Sequence, residues 1–201
     1  WAWGWDAWFG FDADKKELSE WSKNTDTLKV VDYDEDLLGI ESSEPPPEVT
    51  AKMLHIKSTG PKDLYQRVSV EKNKSYTFTF GLSNTIKNFS IVCKTDGARN
   101  NVAINAVETN KEDKGGYTIY TYKLTIPTTD EKGGAMSNLA FIGIKAVGSV
   151  DGYFFNASLY KTEDNDKNEI FTNPDFSSGK LDNWAWGWDA WFGFDADKKE
   201  L

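Results

Sequence analysis

Residues 53–82 read MLHIKSTGPKDLYQRVSVEKNKSYTFTFGL, and this stretch decides the fold. In Met53 to Ser58, Met53, His55 and Lys57 point one way and Leu54, Ile56 and Ser58 the other, the period of an extended strand. Gly60-Pro61 marks a turn, Leu64 to Val70 a second strand, Glu71 to Lys74 a polar turn. Ser75 to Leu82 then alternates polar and aromatic residues with a clear period of two, which predicts a third strand.

The same pattern extends in both directions. Upstream, LKVVDYD (Leu28 to Asp34) reads as a strand, and Leu18 to Lys23 as a short turn or helix carrying Trp21. Glu41 to Glu48 contains Pro45, Pro46 and Pro47, which cannot pair in a ladder, so it is a loop. Downstream, strands are expected at Asn88–Lys94, Asn101–Glu108, Tyr117–Pro127, Leu139–Val147 and Gly152–Tyr160. A turn at Lys111–Gly116 and a flexible stretch at Lys132–Ala135 separate some of them. About 9–10 short strands with almost no helical periodicity predict an all-β fold, an antiparallel β-sandwich of the jelly-roll kind.

Composition narrows the partners. The 23 basic and 32 acidic residues give a net charge of −9, which argues against nucleic acid and anionic membranes. No run of about 18 apolar residues is present, so no membrane span is expected. The 201 residues fit one domain of roughly 150–180 residues with a connecting piece. Cys93, in the apolar run FSIVCK, is the chain's one cysteine and reads as a small buried hydrophobe.

The chain also repeats itself. WAWGWDAWFGFDADKKEL occurs at Trp1–Leu18 and again, unchanged, at Trp184–Leu201, a period of 183 residues. Eight of the nine tryptophans lie in these two copies. This is the pattern of a tandem repeat cut in mid-domain, and an engineered duplication has the same pattern. It divides the chain into a module at 1–161 lacking its first strand, a polar linker at 162–169, and residues 170–201 as the opening of the next repeat. That opening completes either this module or a neighbour. Trp1, Trp3 and Trp5 alternate with Ala2, Gly4 and Asp6, so an extended strand sets three indoles on one face. Such a row serves equally as a platform for sugar rings or as a core strand.

Short motifs along the whole chain resemble the jelly-roll carbohydrate-binding modules of the family 4, 9 and 22 type. Asn173, Phe176, Gly179 and Trp184 match the family's opening Asn, Phe, Gly, Trp spacing. Tyr65-Gln66-Arg67-Val68 and Tyr76-Thr77-Phe78-Thr79-Phe80 match its paired middle strands, and residues 139–160 its closing strands. The opening motif lies beyond the closing strand, as in a circular permutant. The resemblance implies a noncatalytic polysaccharide-binding module of a secreted or cell-surface protein. It implies that Gln66 and Arg67 face the binding cleft, with Tyr65 on the opposite side. Trp1, Trp3, Trp5, Trp21, Tyr120 and Tyr122 are the candidates for stacking on sugar rings.

Calcium, in a structural role, is the cofactor expected. Hard oxygen ligands at short spacing suit it, as in Asp12, Asp14 and Glu17 and the similar run Asp164, Asp166 and Glu169; these runs lack the glycine and terminal glutamate of an EF-hand loop, and a solvated acidic loop is the commoner reading of them. Many family members place a calcium-ligating Asp in the closing strand, where this chain has Phe155 and Asn156. No nucleophile motif, phosphate loop or zinc spacing occurs, and no enzymatic activity is expected. The alternative to sugar binding is a structural repeat of a fibre, stalk or adhesin. There, neighbouring copies would join head-to-tail by strand donation, through Phe176, Trp184, Trp186, Trp188 and Trp191.

Overall fold

The computed structural model describes residues 11–12, 17–18, 27–40, 45–95, 102–129, 133–134, 137–181 and 184–187. It describes the backbone alone at 11–12, 17–18, 27, 102–103 and 185–187. The strands are β1 (Phe11–Asp12), β2 (Glu17–Leu18), β3 (Thr27–Asp32), β4 (Lys52–Ser58), β5 (Lys62–Ser69), β6 (Ser75–Ser83) and β7 (Phe89–Thr95). After them come β8 (Val102–Ala103), β9 (Asn105–Asp113), β10 (Tyr117–Thr125), β11 (Leu139–Ala146), β12 (Val150–Lys161) and β13 (Trp184–Gly187). One helical turn, α1 (Glu35–Leu38), begins at the cap Asp34 and ends at Gly39 in the left-handed conformation (φ 64°).

These strands build an antiparallel β-sandwich. One sheet runs β3-β4-β12-β6-β10-β9 and the other β13-β5-β11-β7-β8, while β1 and β2 form a small separate pair. The alternation read from residues 53–82 holds in three dimensions. Leu54, Ile56, Phe78, Phe80 and Leu82 from the six-stranded sheet meet Leu64, Val68, Ile142 and Ile144 from the five-stranded one. Burying such rows is the main force closing a sandwich. Their outward neighbours are polar wherever water meets them, as in the paired hydroxyls of Thr79 and Thr121 (3.3 Å).

A second, smaller core lies on the outer face of the six-stranded sheet. Met53, Tyr117 and Phe155 pack there under Leu38 and Val49, carried by the chain between β3 and β4. The asparagine amide of Asn156 donates to the Glu48 carbonyl at 3.0 Å and fastens that cover. Asn156 itself is in the left-handed region (φ 48°), where the β12–β6 register shifts between Phe155 and Ser158. Phe155 faces outward by ordinary alternation after Phe154, and the bulge then returns Ala157 and Leu159 to the main core.

Two expectations change. The single strand expected at Asn101–Glu108 is two: β8 pairs with β7, and β9 pairs with β10 in the other sheet. The chain crosses between sheets at buried Ile104. The turn expected at Lys111–Gly116 is shorter, because β9 runs on to Asp113. As an edge strand exposed on most of its length, β9 needs no apolar alternation, and its polar sequence imitates a turn.

Residues 170–187 pack on the body of their own chain. Phe171, Phe176, Leu181 and Trp184 belong to the main core. β13 pairs with β5 from Trp184 opposite Gln66 to Gly187 opposite Asp63. The acidic run before this segment is tightly bonded: one carboxylate oxygen of Glu169 accepts the backbone N–H groups of Leu159, Ile170 and Phe171 at 2.9–3.0 Å.

Candidate functional site

The six-stranded sheet ends on one side in β10 and the edge strand β9. The five-stranded sheet ends in β7 and the two-residue β8, and Phe89 of β7 still packs against Tyr120 of β10. The inner face of β10 presents Tyr120, Tyr122 and Leu124, in register with the core residues Phe80, Phe78 and Tyr76. Leu124 is fully buried, but the two tyrosines are half-buried. Beside them, Ile91, Ile104, Asn105, Ala106 and Tyr122 line an open hollow of ≈530 Å³. That volume lies within the roughly 300–1,000 Å³ range of small-molecule sites.

The ring geometry is rigid. Phe80 lies parallel to Tyr122 (8° between planes, centroids 6.1 Å) and to Tyr120 (21°, 5.6 Å). Phe89 meets Tyr120 edge-on at 4.9 Å. The core thus holds the tyrosines in place, and only their outward parts are available. Polar groups rim them from β9: the Tyr122 hydroxyl donates to a Glu108 carboxylate oxygen at 3.0 Å, and the Lys111 ammonium lies 5.5 Å from the Tyr120 ring centre. Burial first, and then the bond to Glu108, push the Tyr122 hydroxyl's pKa well above its usual value. Tyr122 therefore stays a neutral donor throughout the working range of pH.

Of the residues expected to bind sugar, Tyr122 lines this hollow and Tyr120 lies two residues before it on the same face of β10. Trp1, Trp3, Trp5 and Trp21 lie outside the described residues. Gln66 and Arg67 are neighbours on one strand, so alternation places them on opposite faces and they cannot share a cleft. Gln66 turns inward and is 2% exposed. Its amide donates to the Thr172 carbonyl (2.6 Å) and accepts the Thr172 N–H (3.0 Å), which clamps the 170–187 segment to β5. Arg67 is exposed on the outer face, 6.0 Å from the Phe141 ring centre, where Tyr65 also packs edge-on against Phe141 at 5.5 Å.

Phe176 and Trp184, expected at a junction between modules, are fully buried within their own chain. Trp186 is described by its backbone in β13, while Trp188 and Trp191 lie outside the described residues. For the expected metal ligands, Asp12 and Glu17 pair through the backbone of β1 and β2, and Asp14 is outside the described residues. In the second acidic run, Asp164 accepts the backbone N–H of Asp166 and both the N–H and the side-chain amide of Asn168. Among the described residues, no three His, Cys, Asp or Glu side chains converge as metal ligands do. The position of the family's closing-strand Asp is taken by buried Phe155 and by Asn156, which bonds Glu48.

His55 lies on the outer face of the six-stranded sheet, 2.8 Å from Asp151 and stacked on Tyr153 at 5.0 Å. Lys57 shares the same Asp151 at 2.9 Å. Among the described residues no helix is long and apolar enough to cross a membrane. Compared with family models, characterised proteins and solved structures, the chain matches none of them.

The residues that sequence reasoning missed are Ile91, Ile104, Asn105, Ala106, Glu108 and Lys111. Their signal is weak because they lie around a sheet-to-sheet crossing. The Tyr-x-Tyr spacing of 120 and 122 marked one wall, and nothing local marked the other.

Proposed function

We propose that this chain is a noncatalytic carbohydrate-binding module that holds a polysaccharide in the hollow along β10 and β9. One observation carries the reading: two half-buried tyrosines, fixed by Phe80, present their rings beside a carboxylate, an ammonium and an amide. Pyranose rings offer an apolar face to a flat aromatic and hydroxyls around their rim. Tyr122 would supply the platform, and Glu108, Lys111 and Asn105 the hydrogen bonds. The open form of the hollow suits a stretch of chain rather than an enclosed monosaccharide. The same chemistry fits the secreted or surface setting that the family resemblance implies.

The test is binding to a panel of soluble plant and bacterial polysaccharides by affinity electrophoresis and calorimetry. For the glycan that binds, Tyr122→Ala weakens affinity about tenfold or more, the order of one aromatic stacking contact at ~1.4 kcal/mol. Glu108→Gln weakens it less, since the amide still accepts a hydrogen bond. Binding that survives Tyr120→Ala/Tyr122→Ala in a folded chain would overturn the assignment of the site.

A further inference from the structure

Each sheet has two edge strands, and three of the four carry a recognisable guard against edge-to-edge pairing. β9 is bulged opposite Thr121 and Tyr122 and bears Glu108, Lys111, Glu112 and Asp113. β3 bears exposed Lys29 at its centre and Asp32 at its end. β8 is two residues long. Bulges, charges and shortness are the devices that keep sheet edges apart. β13, four residues long, has neither charge nor bulge: Trp184–Gly187 contains no charged residue and no proline, and its register against β5 is regular.

The backbone of β13 is also set to accept a partner. The Trp184 N–H bonds to the Leu181 carbonyl at 2.9 Å, so it is not spent on β5. Antiparallel alternation then makes Ala185 the residue that exchanges hydrogen bonds with Tyr65, and turns the N–H and C=O of Trp186 away from β5. Among the described residues no strand pairs with that far edge. The seat beside β5 is filled by the chain's own segment, with Trp184 in the core. A strand from another molecule therefore has no vacancy there, and the next place is the free edge of β13.

The chain carries a second segment of the same sequence. Trp1–Gly4 repeats Trp184–Gly187 residue for residue, with small Ala2 and Gly4 between its indoles. We infer that the free edge of β13 is a docking edge for the Trp1–Gly4 strand of a second copy of this chain. Donor and acceptor belong to different ends of the sequence, so the contact is heterologous: each added copy brings a new free edge, and assembly proceeds head-to-tail without closing. The net charge of −9 opposes close approach of copies, so salt strengthens assembly by screening it. The inference stands apart from sugar binding, and its test contains no glycan.

Sedimentation velocity on the 201-residue chain, from about 2 to 200 µM, reads the outcome directly. The weight-average mass rises past two protomers, and rises further in about 0.5 M salt. Trp3→Pro, which cannot form the donor strand, stays monomeric with an unchanged thermal midpoint. Hydrogen exchange supplies a second readout that needs no variant: the Trp186 amide becomes protected as concentration rises. A chain monomeric at the highest concentration overturns the inference, as does a Trp3→Pro variant that assembles like the parent. Growth that stops at two protomers and ignores Trp3→Pro assigns the edge to symmetric β13–β13 pairing and overturns it equally.

Discussion

Trp184→Ala tests whether the segment after the closing strand is part of the core. The indole is 1% exposed and touches three aromatic rings: Phe154 at 5.4 Å, Phe171 at 5.1 Å and Phe176 at 5.6 Å between centroids. Its Nε1 donates to the Asn173 carbonyl at 3.3 Å. Truncating a buried aromatic of this size costs about 3–5 kcal/mol. The neighbours cannot easily close the gap. Phe176 is held in the left-handed region (φ 56°), a strain of about 1–3 kcal/mol that ring packing must offset. Gln66 also fixes the backbone at Thr172 from the other side. A loss of about 4 kcal/mol lowers the thermal midpoint of a domain of this size by roughly 8–16 °C. Urea unfolding followed by tyrosine and tryptophan fluorescence gives the free energy, and calorimetry the midpoint. The twin substitution Trp1→Ala is the control, since the described seat belongs to Trp184. The reasoning is refuted if Trp184→Ala costs less than about 1 kcal/mol. It is refuted as well if the two substitutions cost the same.

Three other perturbations follow from particular contacts. In Gly81→Ala, the new methyl would fall 2.2 Å from the Phe155 ring, so Phe155 must leave its place in the outer core; urea titration should show a loss of about 1–3 kcal/mol. The hydrogen bond from His55, and then that from Lys57, hold the Asp151 carboxyl below the usual carboxylate range. Because the folded-state value is depressed, this contribution is present above the unfolded pKa and is lost as pH falls through the folded one. Thermal midpoints measured between about pH 6 and pH 2.5 should therefore fall more steeply for the parent than for Asp151→Asn. Burial pushes the Cys93 thiol far above its ordinary range, so a thiol reagent should label it only at the rate of unfolding, and label it fully in denaturant.

The parts of the fold that were legible in the sequence are those where one face meets the core and the other meets water. β4, β5 and β6 show it: Leu54, Phe78 and Phe80 turn inward at alternate positions, and the reading of residues 53–82 carries over almost unchanged. β9 was read poorly because an exposed edge strand has no buried face to impose a period. The outer core around Phe155 was also hidden, since its cover, Leu38 and Val49, comes from the distant chain between β3 and β4. The tyrosine wall of the hollow could be named in advance from Tyr120 and Tyr122. Its other side could not, because Ile91 lies in β7 and Ile104 at the crossing between β8 and β9, residues that only the fold brings together.

The duplicated segment gains meaning from this packing. Were Trp184 merely the start of a following module, its ring would have no reason to fill the core of the preceding strands. Instead it is enclosed by Phe154 of β12 and by Phe171 and Phe176 of its own loop, and Gln66 of β5 binds the same loop by both ends of its amide. A body with one such seat and a sequence with two such segments leaves one segment over. The surplus is rich in tryptophan, and the edge nearest the filled seat, β13, carries no charge. The proposed sugar site and the proposed joint lie at opposite margins of the sandwich: the tyrosine hollow at β9 and β10, and the edge at β13. Neither use obstructs the other, and a polymer joined at β13 would present a row of identical clefts. Multivalent display of weak sites raises avidity by about 10²–10⁴ without any new contact. A single open cleft of the kind formed by Tyr120 and Tyr122 gains most from such a gain in avidity.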